Sequence, residues 1–166
     1  GVSSDGRDIS KAASEGNCLL IGRGAHIILS ELPNLISFRF IAKDSIRLER
    51  LKKEFNWDDK QAQQRIDESD NNRQGFHKSF FNRENDEPSD YHMIINTGIL
   101  DEEATSNIIV ETVKNCITPE KEQLGADKIK KLLLAQNLVN TLVFKYKINI
   151  NFLHAVIIDK KIILQG

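Results

Sequence analysis

The sequence has few cysteines, few prolines and no long apolar run, and each shortage excludes a class of protein. It contains two cysteines and three prolines in 166 residues. Cys18 and Cys116 lie far apart in apolar surroundings, so we expect buried free thiols in a reducing compartment, without a disulfide framework. The apolar runs fall short of the roughly 20 residues of a membrane span. No secretory signal is visible, so we predict a cytoplasmic protein without a membrane span.

An excess of charge of one sign is also missing. The 23 Lys and Arg residues and 24 Asp and Glu residues give a formal net charge of −1. Because the chain has no overall basic field, we predict no nucleic-acid partner, and any anion must be bound by local groups. The four histidines lack the spacing of metal ligands, so we predict no metal site among them.

The apolar pattern indicates an α/β protein. Apolar runs at 18–21, 35–41 and 91–96 predict three strands, the first of them fully buried, and helical spacing lies between and after them. This order predicts a parallel sheet with crossover helices, in which ligands bind at the carboxyl ends of the strands. Residues 22–24, 42–44 and 96–98 would then lie on one rim.

The pattern changes after Thr118-Pro119, a sequence typical of a boundary and a helix start. Residues 129–138 have helical spacing, residues 142–150 alternate, and two short apolar runs flank residues 159–161. This predicts a helix followed by an antiparallel strand pair with a tight turn. We therefore predict an α/β domain over residues 1–117 and a small α+β unit over residues 118–166.

Gly22, Arg23 and Gly24 follow the first predicted strand and precede a short helix. Glycines let an anion approach the backbone, and a guanidinium group can bind a phosphate through two hydrogen bonds. The alternative is a tight turn with an exposed arginine. A glycine-rich motif this short leaves both interpretations open.

Further arginines lie on two predicted helices. Arg47 is the better ligand candidate on the first, whereas Arg50 fits a salt-bridged solvent face. On the second, a long polar helix, Asp70 and Arg73 share a face, and Arg65 lies two turns before Arg73. One interpretation is a lid that brings basic groups to transferring phosphates and excludes water. The alternative is an exposed helix with weak local ion pairs.

Taken in order, these pieces resemble the cytidylate kinase-like family, relatives of bacterial cytidylate kinase in the P-loop kinase superfamily. The resemblance covers residues 17–115. The segments that carry it are Ile21-Gly-Arg-Gly-Ala25, Pro33-Asn34 before Phe38-Arg-Phe-Ile-Ala42, Arg47 and Arg50, Arg65-Ile-Asp-Glu-Ser-Asp-Asn-Asn-Arg73, and Tyr91-His-Met-Ile-Ile-Asn-Thr-Gly98.

The resemblance implies transfer of the γ-phosphoryl group of ATP, with Mg²⁺, to a nucleoside monophosphate or related acceptor. It implies that Arg23 binds the acceptor phosphate, and that Asp70 and Arg73 belong to the lid. Arg65 falls one place away from a lid arginine. The predicted substrate-binding residues are Gly22, Arg23, Gly24 and Arg47, and the predicted catalytic residues are Arg65, Asp70 and Arg73.

The chain departs from the family pattern in two places. Ile21 and Gly24 stand where cytidylate kinases have acidic residues that help to recognise the nucleoside. The resemblance therefore does not specify cytidine, and the acceptor is left open between CMP and another compound. No Gly-x-x-x-x-Gly-Lys-Ser/Thr loop is present, and in the family this loop lies on a strand upstream of these residues. We therefore expect a piece of a longer protein, inactive as this chain, with an exposed sheet edge or a partner strand, for example from a second copy.

Two functions therefore remain open. One is a nucleoside monophosphate kinase-like phosphotransferase, and the other is a degenerate kinase-fold module that binds a nucleotide or a phosphorylated small molecule, or that acts as an interaction domain. The tail from residue 128 to residue 166 faintly resembles the first part of a BON domain, a module associated with membranes or ligand binding. This second resemblance depends on the hairpin pattern over residues 156–166.

Overall fold

The computed structural model describes residues 2–22, 24–147, 154–158 and 161–165, with residues 2–7 and 165 described by their backbone alone. Contacts within the chain divide it into two units, Ile36–Cys116 and a second unit of Gly1–Leu35 with Ile117–Gly166. The predicted domains, 1–117 and 118–166, group the residues differently and stay a prediction.

Helices predominate among the elements of the chain. In chain order, the elements are α1 (Val2–Ser14), α2 (Ala25–Ile28), β1 (Phe38–Ile41), α3 (Asp44–Phe55), α4 (Asp59–Phe81), a 3₁₀ turn (Pro88–Asp90), β2 (Met93–Asn96), α5 (Glu102–Cys116), α6 (Pro119–Asn140), a π-helical turn (Thr141–Lys145), β3 (His154–Ile158) and β4 (Lys161–Gln165).

The unit Ile36–Cys116 is built on a parallel strand pair. Strands β1 and β2 run in register from Phe38 opposite Met93 to Ile41 opposite Asn96, and the connection between them contains α3 and α4. Ile95 of β2 is buried, as are Ala62 and Ile66 on the apolar face of α4. The mixed α/β class predicted from the sequence is confirmed.

Polar residues fix the ends of the two helices between these strands. Helix α3 ends where Asn56 adopts a left-handed conformation with φ of 54°. Asp58 then starts α4 with a capping box, in which its carboxylate accepts a hydrogen bond from the Gln61 amide at 2.8 Å. The short link between these signals joins α3 and α4 as neighbouring helices that pack on each other.

The carboxyl ends of β1 and β2 meet at one edge, because the strands are parallel and in register. The Thr97 amide donates to the Ile41 carbonyl at 2.9 Å across this edge. Gly98 approaches α3 so closely that an added Cβ would lie 2.8 Å from Ile46 Cδ1. The predicted rim is therefore confirmed for residues 42–44 and 96–98. The third predicted segment, 22–24, belongs to the other unit.

The second unit is mainly helical. Helix α6 packs on α1 and on β3, with Ile129 and Ala135 among its buried residues. The antiparallel pair of β3 and β4, from His154 opposite Gln165 to Ile158 opposite Lys161, confirms the predicted hairpin strands. The alternation predicted from residue 142 gives way to the π-helical turn, because the chain continues from α6, and residues 148–153 lie outside the described residues. No described helix is long and apolar enough to cross a membrane.

The predicted buried strand at 18–21 is wrong. This segment forms no strand, and Leu19 and Ile21 are 83% and 88% exposed. Left-handed residues precede and follow it, at Asn17 with φ of 44° and at Gly22 with φ of 74°. A four-residue run becomes a strand only when a neighbouring strand takes its backbone hydrogen bonds, and no described strand pairs with it. The Cys18 thiol, predicted to be buried, is consequently exposed, and Cys116, also predicted to be buried, is only half-buried.

Candidate functional site

A charged cluster joins α3 to α4 and contains three of the predicted site residues. The Arg47 guanidinium donates to both oxygens of the Asp70 carboxylate, each at 2.7 Å. Asp44, at the start of α3, accepts from the same guanidinium at 3.0 Å. Such a two-point contact is the strong form of an arginine–carboxylate pair. Two residues that the sequence placed on separate helices therefore form one polar link.

Arg73 completes the cluster from one turn further along α4. Its Nη2 atom lies 3.6 Å from Asp70 Oδ1 and donates to Ser69 Oγ at 2.8 Å. About half of the Arg73 side chain is exposed, as is about half of Asp70, whereas Arg47 is only 26% exposed. The predicted shared face of Asp70 and Arg73 is confirmed, and the cluster is open to solvent on its α4 side.

The positive charges around Asp70 shift its titration. Hydrogen bonds from the Arg47 guanidinium are the main reason why the pKa of Asp70 is lowered. The charges of Arg47, Arg73 and Arg39 act in the same direction, and partial burial acts against them. The same hydrogen bonds raise the pKa of Arg47. The carboxylate is therefore held in its charged form by several arginines, which is an arrangement that also suits an external anion.

Arg39 is a basic residue near this cluster that was not among the predicted site residues, although it lies in one of the segments that carry the family resemblance. It projects from β1, and its guanidinium donates to the Asn85 carbonyl and, at 3.3 Å, to the Tyr91 hydroxyl. It also lies 5.5 Å from the centre of the Tyr91 ring. The signal in the sequence is a charged residue inside an apolar strand, which is unusual unless a partner compensates it.

The rim of the strand pair carries a second polar contact. Arg50 donates to the Thr97 carbonyl at 2.6 Å and to the Thr97 hydroxyl at 3.1 Å. The predicted salt-bridged face is therefore wrong for Arg50, because its guanidinium reaches the turn after β2 instead of a carboxylate. In that turn the Gly98 amide donates to Asn96 Oδ1 at 3.0 Å, which fixes the shape of the rim.

Ser37 and His92 form a polar link that the sequence did not predict. His92 Nδ1 lies 3.1 Å from the Ser37 amide nitrogen and 2.8 Å from Ser37 Oγ. The His92 amide in turn donates to the Ser37 carbonyl at 3.0 Å. Since the amide can only donate, Nδ1 acts as the acceptor. The link ties the residues that precede β1 and β2, and no local pattern reveals it because the two residues are 55 positions apart.

The other predicted site residues contribute less to this cluster. Gly22 and Gly24 have φ angles of 74° and 65°, a range that favours glycine. Arg23 lies outside the described residues, and its role stays a prediction. Arg65 is exposed on α4 and makes no hydrogen bond or ion pair with any residue that the structure describes.

The described residues contain no group of three or more His, Cys, Asp or Glu side chains that could hold a metal ion. The cluster consists of the guanidinium groups of Arg47 and Arg73 beside the carboxylates of Asp44 and Asp70. What it offers chemically is binding and charge stabilisation of an anion, because arginines stay protonated and donate in fixed directions.

Comparisons with known proteins give a family and a fold. Residues 3–99, more than half of the chain, match the model of a family described as cytidylate kinase-like. A crystal structure of an uncharacterized protein from Eubacterium ventriosum ATCC 27560 is 23% identical, with a TM-score of 0.63. The similarity covers 69% of this chain and 65% of that one, so the chain spans less than two thirds of that protein. No curated protein matches.

Proposed function

Since this chain belongs to the cytidylate kinase-like family, we propose that it forms the acceptor-binding part of a phosphotransferase. The donor would be ATP with Mg²⁺, and the acceptor a nucleoside monophosphate or a related phosphorylated compound. The observation that carries the proposal is the family match, which includes the whole of β1, α3, α4 and β2. The predicted cytoplasmic location stays a prediction.

The charged cluster supports the acceptor side of this proposal. Arg47 lies in the first turn of α3, directly after the carboxyl end of β1, where ligands of parallel sheets bind. Arg73 lies on the partly exposed face of α4 next to it. A phosphate monoester carries up to two negative charges, and a planar guanidinium matches its oxygens in pairs. In transfer, such arginines would stabilise negative charge that develops on the phosphoryl oxygens.

The residues present do not fit the donor side. The sequence contains no Gly-x-x-x-x-Gly-Lys-Ser/Thr segment, although Gly1 and Gly6 have the loop spacing, with Arg7 and Asp8 in the last two places. The structure has helix α1 over Val2–Ser14 instead of a phosphate loop. We therefore expect this chain to bind an acceptor without transferring a phosphoryl group.

A thermal-unfolding series tests the proposal. The chain is heated with CMP, dCMP, UMP or AMP, each with its unphosphorylated nucleoside as the control. A ligand at about a hundred times its Kd stabilises a protein by about 2.7 kcal/mol, so one monophosphate should raise the Tm clearly and its nucleoside should not. Arg47→Met should remove the shift, whereas Lys60→Met serves as the matched control, because Lys60 is an exposed cation of α4 outside the predicted site.

Three results would change the conclusion. No shift with any monophosphate would contradict acceptor binding. A shift that persists in Arg47→Met would place the phosphate elsewhere in the chain. Product formation from ATP and the stabilising monophosphate would contradict the donor-side part of the proposal, whereas binding without turnover also fits a kinase-fold binding module. A longer version of the protein that binds but never transfers would decide for that module.

A further inference from the structure

The contact between Arg47 and Asp70 raises a question about how this cluster could bind a phosphate. Both oxygens of the Asp70 carboxylate lie 2.7 Å from the nitrogens of one guanidinium. A phosphate uses the same paired donors, because its oxygens have similar spacing and charge. In this structure the side chain of Asp70 therefore takes the place on Arg47 that a phosphate would need.

Release of Asp70 would leave neither charge without compensation. Arg73, three residues along the same helix, already lies 3.6 Å from Asp70 Oδ1. Asp44 lies 3.0 Å from Arg47 and would stay beside it. Asp70 is 47% exposed, and an ion pair that solvent reaches contributes little to stability, so exchange of one partner for another is not costly.

The cluster has a structural consequence for α4. Among the described residues, two ion pairs connect α3 with α4, Arg47 with Asp70 and Lys52 with Asp59. Lys52 and Asp59 lie near the short link between the helices, whereas Asp70 lies in the middle of α4. The middle of α4 is strongly polar. It is followed by Gly75, where an added methyl group would contact no other atom. Among the described residues, Arg47 therefore makes the ion pair that connects the middle of α4 to α3.

We propose that Asp70 is an internal substitute for the ligand phosphate. It occupies Arg47 when no ligand is bound, and an incoming phosphate displaces it towards Arg73, which loosens the middle of α4 from α3. This inference rests on the proposed function, because it concerns the same phosphate-binding arginine. It predicts that Asp70 competes with the ligand, whereas a direct ligand-binding role predicts that Asp70 assists it.

The test is a titration of the full chain with inorganic phosphate at constant ionic strength. Binding is monitored through the NMR signal of the Arg47 Nε–H group. Asp70→Asn removes the competing charge, and we expect phosphate to bind about fivefold tighter, which corresponds to about 1 kcal/mol. Asp59→Asn is the matched control, because it removes the other ion pair between α3 and α4 without touching Arg47, and its affinity should equal that of the unmodified chain. Hydrogen exchange of residues 67–75 should increase when phosphate binds.

Each remaining outcome contradicts a defined part of the account. If the unmodified chain binds phosphate at Arg47 and Asp70→Asn binds equally or more weakly, the substitute role is wrong and the proposed function stands. If Asp59→Asn tightens binding as much as Asp70→Asn, the gain comes from helix loosening or net charge, and the substitute role is again wrong. If neither the unmodified chain nor Asp70→Asn responds at Arg47, the proposed phosphate site fails, and this inference fails with it.

Discussion

The two strand pairs of this molecule differ in how far apart their strands lie in the sequence and in how deeply they are buried. The antiparallel pair of β3 and β4 is local, and none of its described side chains is fully buried, with Ile158 and Ile162 51% and 54% exposed. The parallel pair of β1 and β2 joins segments separated by two helices, and its Ile95 is only 3% exposed. A local pair needs only a short connection between its strands, whereas a distant pair forms when the elements between its strands fold back, and here the packing of α3 on α4 in that connection also brings the charged cluster together.

The largest expected effect concerns the unit that contains the hairpin. Gly125 of α6 is buried, and an added methyl group would overlap with the carboxamide of Asn34. The overlap costs up to about 3 kcal/mol, and the higher helix propensity of alanine offsets about 1 kcal/mol of it, so we expect Gly125→Ala to lower the free energy of unfolding by about 2 kcal/mol, measured by urea denaturation. Gly75→Ala in α4 is the matched control, because the added methyl group meets nothing there, and it should stabilise by about 0.8 kcal/mol.

A double-substituted chain checks the reason for this effect. Asn34→Gly removes the carboxamide, so Gly125→Ala should cost much less in that background. If Gly125→Ala lowers the free energy of unfolding equally in both backgrounds, the close approach of Asn34 to Gly125 is not the cause of the decrease.

A smaller effect is expected at the entrance of the parallel pair. His92→Ala removes the acceptor of the Ser37 amide, and Ser37 is buried, so we expect a loss of about 1.5 kcal/mol in the free energy of unfolding. His92→Asn places a carbonyl oxygen near the position of Nδ1 and should recover part of the loss. Equal losses in both variants would mean that the histidine ring acts through packing and not as an acceptor.

The smallest effect on stability comes from the charged cluster itself. Because Arg47 lowers the pKa of Asp70, the ion pair stabilises the folded chain above the usual aspartate pKa of about 4, and this contribution disappears as the pH falls through the lowered pKa. Since Asp70 is half-exposed, solvent screening limits the contribution to about 0.5 kcal/mol.

Urea unfolding from pH 7 to pH 3 measures this contribution. The unmodified chain should exceed Asp70→Asn in stability at pH 7, and the difference should vanish in acid. A difference that persists unchanged at pH 3 would show that the asparagine acts through something other than the lost charge.

Local signals predicted the elements of the unit that contains the parallel pair. The two predicted helices that carry the arginines are present as α3 and α4, because helical spacing acts over a few neighbouring positions, and Asp58 caps α4. The same reasoning failed at residues 18–21, whose apolar pattern matched that of β1. A strand forms only beside a neighbouring strand, and the sequence of a four-residue apolar run does not show whether such a neighbour is present.

The candidate site could be predicted as a set of residues but not as a geometry. Arg47, Asp70 and Arg73 were each predicted as site residues. Arg47 and Asp70 are 23 positions apart, however, and their pairing depends on how α3 packs on α4. Arg39 and the link between Ser37 and His92 were missed for the same reason, since their partners are distant in sequence. Spacing predicts which residues share a helix face, and packing decides which faces meet.

A crystal structure of the full chain with CMP or another stabilising monophosphate tests the central claim most directly. The account predicts phosphate oxygens within hydrogen-bond distance of the Arg47 guanidinium, with Asp70 turned to Arg73. A structure in which the phosphate is bound elsewhere, while Arg47 keeps its two contacts with Asp70, would contradict it.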